Sequence, residues 1–449
     1  METRRLSFEP LGNRERSYRQ DKFILSTFQI NGKEGEEMEF SDIQRIIRKL
    51  KEAHHNQIEL GWAHHNTVEK AVKVCEEEEL DVIIQDRSVF GGFQESADNV
   101  DAVEEDICQF VERFKGYQHV CGYYVWDEAW KKPDMQKAGE LITYFEKCAQ
   151  GKHAVAILIP SYNPEWTWKD GSYLRYVDVF SKTVNPSVLS FDYYPYGVKP
   201  VLERDENQMD LSLVWNDLGA IRAEGLKRNI PLWYYYQTLR VGGEMKIDFF
   251  MIRLQMYYAL LYGAKALQSF GVTGTIASPM KSEEKRKMLE LDGQEGWFYD
   301  DIKHECAMIA QMGKTLIALT STHVYHSNEV LPENEYFNEY YREDIAEDLI
   351  FDMQYLPRRC SVGTFSDRQG NCYAMILNRD YETANTFVLK LKKKYRIYEV
   401  SKADGKHYCV NDETKKLAIT LEAGSAILVR FQNPEEEPCH IEYVVNVSE

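Results

Sequence analysis

Short apolar runs alternate with longer amphipathic segments from about residue 22 to residue 318. The runs are rich in β-branched and aromatic residues and predict strands at 23–29, 57–63, 81–86, 122–127, 154–160, 188–192, 231–236 and 266–272. The segments between them repeat apolar residues at helical spacing, as at Ile43, Ile46, Ile47 and Leu50. Eight strand–helix units in about 300 residues are typical of an α/β fold of the (β/α)8 TIM-barrel type.

An open, doubly wound parallel sheet is the alternative fold for the same alternation. Such a sheet usually carries a glycine-rich phosphate loop after its first strand. Here the first predicted strand runs into STFQING at 26–32, which contains no GxGxxG motif. The sequence therefore favours the barrel.

The pattern changes after the barrel. Residues 323–354 are rich in Glu, Asn and Tyr and lack periodicity, which predicts a linker or surface excursion. From 355 to 449, short strand-like runs are separated by turn signals such as DRQGN and ADGK, which is typical of an all-β sandwich. The predicted division is an N-terminal extension at 1–21, a barrel at 22–322, the linker, and a small C-terminal β-sandwich.

Charge and cysteine usage narrow the class of protein. The chain has 54 Lys and Arg against 72 Asp and Glu, a net charge of −18, which argues against nucleic acid or an anionic membrane surface as partner. No apolar run is long enough to span a bilayer, and the N-terminus has no secretory apolar region. The nine cysteines form no CxxC pair, so we expect reduced thiols, a cytoplasmic location and no metal or other cofactor. A homo-oligomer is left open.

The strongest candidate for chemistry is GYYVWDEAW at 122–130. In a barrel the site lies at the carboxyl ends of the strands, where this motif delivers Asp127 and Glu128. Side chains alternate along a strand, so we expect one of the two to face a substrate and the other to hold a neighbouring loop. Contact with aromatic rings would raise the pKa of such a carboxyl toward that of a general acid. The structural alternative is that either residue caps the next helix.

A second carboxyl follows the predicted sixth strand in FDYYPYG at 191–197, where Asp192 precedes three tyrosines. It too has a cap or loop anchor as its structural alternative. Further polar and aromatic side chains at the strand ends are predicted to bind substrate: Trp62, His64, Asp86, Trp126, Asp127, Asn163, Tyr194, Tyr236 and Gln237. Adjacent histidines at 64 and 65 point apart on a strand end, so a two-histidine metal site is not expected.

Three segments resemble (β/α)8 glycoside hydrolases of clan A, the β-galactosidase-like kind, and are most similar to little-characterised gut-bacterial members. They are GYYVWDEA at 122–129, FDYYPY at 191–196 and LQMYYALLYGAKALQSF at 254–270, with LDGQEGWFYDDI at 291–302 similar to a stretch after the barrel. The resemblance covers most of residues 22–318. It implies cleavage of a small oligosaccharide or glycoside by a carboxylate pair, with Glu128 as the general acid/base.

The resemblance fails at the predicted seventh strand. Clan A enzymes carry a Glu nucleophile at the end of that strand, whereas PLWYYYQTL at 231–239 places Gln237 there. An amide cannot act as a carboxylate nucleophile. Three explanations stay open: Asp192 is the second carboxylate, Gln237 replaces a natural Glu, or Glu244 moves into the site. We favour Asp192. A binding protein that has lost catalysis and a different sugar-active enzyme, such as a lyase, transglycosidase or isomerase, are the competing functions.

Overall fold

All eight predicted barrel strands are present, and they run parallel and close in sequence order into a barrel in a computed structural model of the chain. The strands are β1 Ile24–Phe28, β2 Gln57–Leu60, β3 Asp81–Ile84, β4 Val120–Trp126, β5 His153–Leu158, β6 Leu189–Asp192, β7 Leu232–Gln237 and β8 Ala266–Phe270. The structure describes residues 18–28, 30, 36–61, 63–85, 100–149, 151–161, 173–196, 211–238, 247–273, 287–327, 350–352 and 356–436.

The described part of the chain contains eight helices, which surround the barrel: α1 Phe40–Glu52, α2 His65–Glu77, α3 Val100–Phe114, α4 Lys132–Cys148, α5 Tyr173–Thr183, α6 Ser212–Arg228, α7 Phe249–Leu261 and α8 Tyr299–Leu316. The predicted apolar stripe of α1 is buried at Ile43, Ile46, Ile47 and Leu50. Helix α7 is buried from Met251 to its end, because it packs both on the barrel and on the second domain. No described helix is long and apolar enough to cross a membrane.

The barrel strands present two different faces. Side chains such as Ile24, Phe28, Ile83 and Tyr235 form a core inside the barrel. Their neighbours on the same strands join a larger core between the barrel and the helices. Both faces are therefore buried, as expected for a parallel sheet covered by helices.

Six antiparallel strands form a second sheet: β9 Thr320–His326, β10 Cys360–Ser366, β11 Cys372–Asn378, β12 Asn385–Val400, β13 His407–Leu421 and β14 Ala426–Gln432. Their order is β13-β12-β14-β11-β10-β9. The sequence placed 323–326 in a linker, but these residues belong to β9 and pair with β10. The register of β12 against β13 shifts after Lys390. One apolar core contains side chains from all six strands, β9 to β14. The prediction of a C-terminal all-β domain is confirmed.

Helix α7 makes several contacts with the second sheet. Gly363 on β10 lies so close to the carbonyl of Leu261 that an added Cβ would come within 2.4 Å of its oxygen. The buried guanidinium of Arg253 donates to the carbonyl of Ala423 and to the carboxylate of Glu422. These contacts join α7 to the C-terminal domain.

Two cysteines contradict the expectation of reduced thiols throughout. Cys108 on α3 and Cys148 on α4 are joined by a disulfide, with their Cα atoms 5.4 Å apart. The cysteines at 75, 121, 306, 360, 372 and 409 are free thiols. Spacing along the sequence could not reveal the pair, because 40 residues separate its members and only the packing of two helices brings them together.

Candidate active site

The loop after β4 carries Glu128 in an unusual backbone conformation. Its φ angle is +47°, in the left-handed region that residues other than glycine seldom adopt. The next residue is fixed on both sides, since the Ala129 amide donates to the carbonyl of Ile157 and its carbonyl accepts from the Tyr176 hydroxyl at 3.0 Å. The register of β4 against β5 also shifts between Tyr124 and Trp126. Strained backbone of this kind is concentrated at functional sites.

Asp192 is the last residue of β6, and only 7% of it is exposed. Burial raises the pKa of its carboxyl well above the ordinary value, and the carboxylates of Glu128 and Asp127 raise it further. The Oδ1 atom of Asp192 accepts no hydrogen bond from the part of the chain that the structure describes. The two carboxyls predicted from separate motifs, at 128 and 192, therefore interact electrostatically.

Neither strand-end carboxyl on β4 is a helix cap. Helix α4 begins after Lys131, which is its N-cap, and the cap makes no side-chain hydrogen bond. Asp127 instead accepts from the Tyr124 hydroxyl at 2.9 Å, and burial raises the pKa of its carboxyl. Asp192 does not cap the following helix either, because α6 begins after Leu211. The structural alternative of capping is wrong for all three acids.

Gln237 is a clamp on the loop after β6. Its side chain is fully buried; Nε2 donates to the Tyr196 carbonyl at 2.6 Å, and Oε1 accepts from the Tyr196 amide at 3.1 Å. The backbone amide of Gln237 donates to the side-chain oxygen of Gln255 on α7. The side chain thus uses both a donor and an acceptor, which a carboxylate cannot provide. This pairing explains the amide without invoking a lost nucleophile.

Aromatic rings line the interior near the carboxyls. Tyr194 stacks on Phe270 with 4.2 Å between ring centroids, and Phe270 stacks on Phe28 at 5.9 Å. Phe28 also lies against Tyr124, whose hydroxyl binds Asp127. Rings in this position offer flat apolar faces next to polar groups.

Other predicted site residues have different environments. The Nδ1 atom of His64 accepts from the Asn66 amide and caps α2. The buried Trp126 belongs to the core between strands and helices. Tyr236 is wrong as a barrel-mouth residue, because it is fully buried in that same outer core, and this burial raises the pKa of its hydroxyl well above the ordinary value. Trp62, Asp86 and Asn163, and likewise Glu244, lie outside the described residues.

Sequence reasoning missed an acid inside the barrel. Glu59 of β2 is fully buried; the Tyr235 hydroxyl lies 2.7 and 2.8 Å from its two carboxyl oxygens, and Gln268 Nε2 donates to one of them at 2.8 Å. Burial raises its pKa to about 8. The available signal was a Glu within the buried strand QIEL, since a carboxyl in such a strand needs partners.

Comparison with known proteins finds likeness in structure alone. No family model and no curated protein matches the chain. A solved structure described as a glycoside hydrolase superposes with a TM-score of 0.56 at 10% identity, covering 92% of this chain and 93% of the other. A glycoside hydrolase family 5 protein from Bacteroides vulgatus ATCC 8482 gives 0.57 at 10% identity, covering 94% and 92%. The chain therefore shares the fold of these two solved structures, and at 10% identity the likeness extends to the fold alone.

Proposed function

We propose that this chain, which has the fold of glycoside hydrolases, cleaves a small oligosaccharide or glycoside with Glu128 and Asp192 as its catalytic carboxyl pair. The observation that carries the proposal is the electrostatic coupling of these two acids at the ends of β4 and β6. Glycoside hydrolysis needs such a pair, one acid for the leaving oxygen and a second carboxylate for the sugar carbon or for water.

The half-buried Glu128 is the proposed general acid/base, and the buried Asp192 is the proposed second carboxylate. Because the charge of Glu128 raises the pKa of Asp192, a negative charge on Glu128 makes ionisation of Asp192 less favourable. Burial favours the neutral form of Asp192 in the empty site. For catalysis, Glu128 must carry a proton beside the leaving oxygen while Asp192 is ionised.

The positive charge of the transition state favours the ionised form of Asp192. Its sugar ring carries positive charge, which attracts a carboxylate more strongly in a site from which water is excluded. A charged Asp192 is unfavourable in the empty site and favourable beside the cationic ring. The interaction between Asp192 and the sugar is therefore stronger in the transition state than in the ground state, which lowers the barrier. The Tyr194–Phe270 stack supplies a surface for the apolar face of the sugar.

The test is hydrolysis of a panel of aryl glycosides and natural oligosaccharides by wild type, Glu128→Gln and Asp192→Asn. We expect kcat to fall at least about a hundredfold in both variants. Glu112→Gln, at an exposed position on α3, is the matched control and should retain full activity. Unchanged turnover in both site variants would overturn the assignment, and sugar binding without turnover in wild type would indicate a binding protein instead.

A further inference from the structure

One buried tyrosine joins the backbone at the ends of two neighbouring barrel strands. Tyr176 on α5 is fully buried, and its hydroxyl donates to the Ala129 carbonyl at 3.0 Å. The same hydroxyl accepts from the Ile159 amide, also at 3.0 Å. Ala129 directly follows the proposed acid Glu128 after β4, and Ile159 is the first residue after β5. A tyrosine hydroxyl can both donate and accept, so it can bridge a carbonyl and an amide in this way.

The backbone after β5 is itself held by two helices. The Ile159 carbonyl accepts from the hydroxyl of Tyr173, one turn before Tyr176 on α5, at 2.7 Å. Two residues further along the chain, the Ser161 amide donates to the Asp217 carboxyl on α6 at 2.9 Å. The Tyr176 hydroxyl therefore fastens the backbone after β4 to a part of the molecule that is fixed from both sides.

The backbone after β4 needs such a hold because Glu128 has a φ angle of +47°. A residue other than glycine keeps this left-handed conformation only where its surroundings impose it. The Ala129 amide provides one hold through a hydrogen bond of 3.3 Å to the Ile157 carbonyl, and the Tyr176 hydroxyl provides a shorter one. Loss of the hydroxyl would free the Ala129 carbonyl, and rotation of the backbone there would move the Glu128 side chain.

We propose that Tyr176 is a positioning residue for the Glu128 carboxyl, which it holds in place through the backbone of Ala129. The inference rests on the proposed function of Glu128 as the general acid/base. Transfer of a proton requires the acid to lie within hydrogen-bond reach of the leaving oxygen. Displacement of a reacting group by about 1 Å can lower a rate by about a hundredfold. Tyr176 therefore controls the rate of the step that needs the Glu128 proton.

The first test compares wild type with Tyr176→Phe, which removes only the hydroxyl, on aryl glycosides with phenols of graded acidity. We expect kcat/KM to fall at least about tenfold on the least acidic phenols and to stay within about threefold on the most acidic, because only the former need the Glu128 proton. Tyr398→Phe is the matched control, since it removes a buried hydroxyl that donates to Gln432 in the C-terminal sheet, and it should retain full activity on every substrate. An equal loss on all phenols, or no loss, would overturn the inference.

Combination with Glu128→Gln tests whether Tyr176 acts through Glu128. On a phenol of intermediate acidity, Tyr176→Phe should lower kcat/KM by at least about fivefold in wild type and by less than about twofold in Glu128→Gln, because coupled residues are not additive. Loss by the same factor in both backgrounds would show that the hydroxyl acts independently of Glu128 and would contradict the inference.

A measurement without turnover separates this inference from the proposed function. Amide hydrogen exchange of the peptide spanning residues 124–131 would be followed by mass spectrometry in wild type, Tyr176→Phe and Tyr398→Phe. Tyr176→Phe should speed exchange in this peptide by at least about tenfold, whereas Tyr398→Phe should leave it unchanged. Unchanged exchange in Tyr176→Phe would contradict the inference even in an active enzyme. Faster exchange in a protein that cleaves no glycoside would support the hold on Ala129 and refute the proposed hydrolase.

Discussion

Replacing Gln237 by Glu distinguishes two explanations for the glutamine at this position. In one, its side chain holds the backbone of Tyr196; in the other, it stands where a catalytic Glu has been lost. In wild type the Gln237 amide donates to the Tyr196 carbonyl at 2.6 Å and accepts from the Tyr196 amide at 3.1 Å, with no exposure to solvent. An ionised Glu at this position would place a carboxylate oxygen against the carbonyl. A protonated Glu would preserve both hydrogen bonds, because its hydroxyl can donate where the amide did. We therefore expect Gln237→Glu to hold a proton in the folded state.

The magnitude follows from this protonation. The pKa of Glu is about 4.3 in the unfolded chain and would be raised in the folded one, so the variant is least affected below pH 4.3 and loses stability as pH rises. Each pH unit above 4.3 costs about 1.4 kcal/mol until the folded pKa is reached. The expected loss relative to wild type is about 1 kcal/mol at pH 5 and at most about 4 kcal/mol near pH 7.3.

Urea unfolding of wild type and Gln237→Glu between pH 5 and pH 8 measures this difference in the free energy of unfolding. Gln369→Glu, in the exposed turn between β10 and β11, is the matched control and should show no such slope. A loss below about 0.5 kcal/mol that does not vary with pH would refute the clamp, since surface substitutions commonly fall in that range. Increased glycoside hydrolysis by Gln237→Glu would refute it too, by showing that a carboxylate belongs there.

Two further predictions concern stability. Cys108→Ser removes a cross-link between residues 40 positions apart, and loop-closure entropy predicts that the free energy of unfolding falls by about 4 kcal/mol. Urea unfolding without reductant measures this loss. The same unfolding midpoint for the variant and for unreduced wild type would contradict the disulfide. Arg253→Met leaves the Ala423 carbonyl without its donor and should lower the free energy of unfolding by about 2–3 kcal/mol. Lys115→Met, whose ion pair is exposed, is its control and should change stability by under about 0.5 kcal/mol; an equal effect of both changes would show that the domain contact is weak.

The barrel could be predicted because its strands are short apolar runs separated by helix-period segments, and eight such units leave few topologies. It was harder to predict which side chains of each strand point into the barrel. In β7 all six residues of LWYYYQ are buried, so no alternation of apolar and polar positions marks the inward side. The sequence therefore selected Tyr236, which packs toward the helices, and missed Tyr235, which bonds to Glu59.

The candidate acids at 127, 128 and 192 were predictable because charged residues directly after apolar strands must lie at the mouth of a barrel. The role of Gln237 was not, since its partner Tyr196 is 41 positions away and is brought close only by the pairing of β6 with β7. Residues 323–326 of β9 were assigned to a linker. The strand sequence TSTHVYH is polar, and β9 is only partly buried at the edge of its sheet.

The dependence of hydrolysis on the leaving group tests the central claim most directly. Aryl glycosides with phenols of graded acidity would be hydrolysed by wild type and Glu128→Gln at pH 6. An enzyme without its general acid keeps most activity on the most acidic phenols and loses it on the least acidic, because only the latter need a proton. We predict a steep dependence of kcat/KM on phenol pKa for Glu128→Gln and a shallow one for wild type. The same slope for both enzymes would contradict Glu128 as the acid.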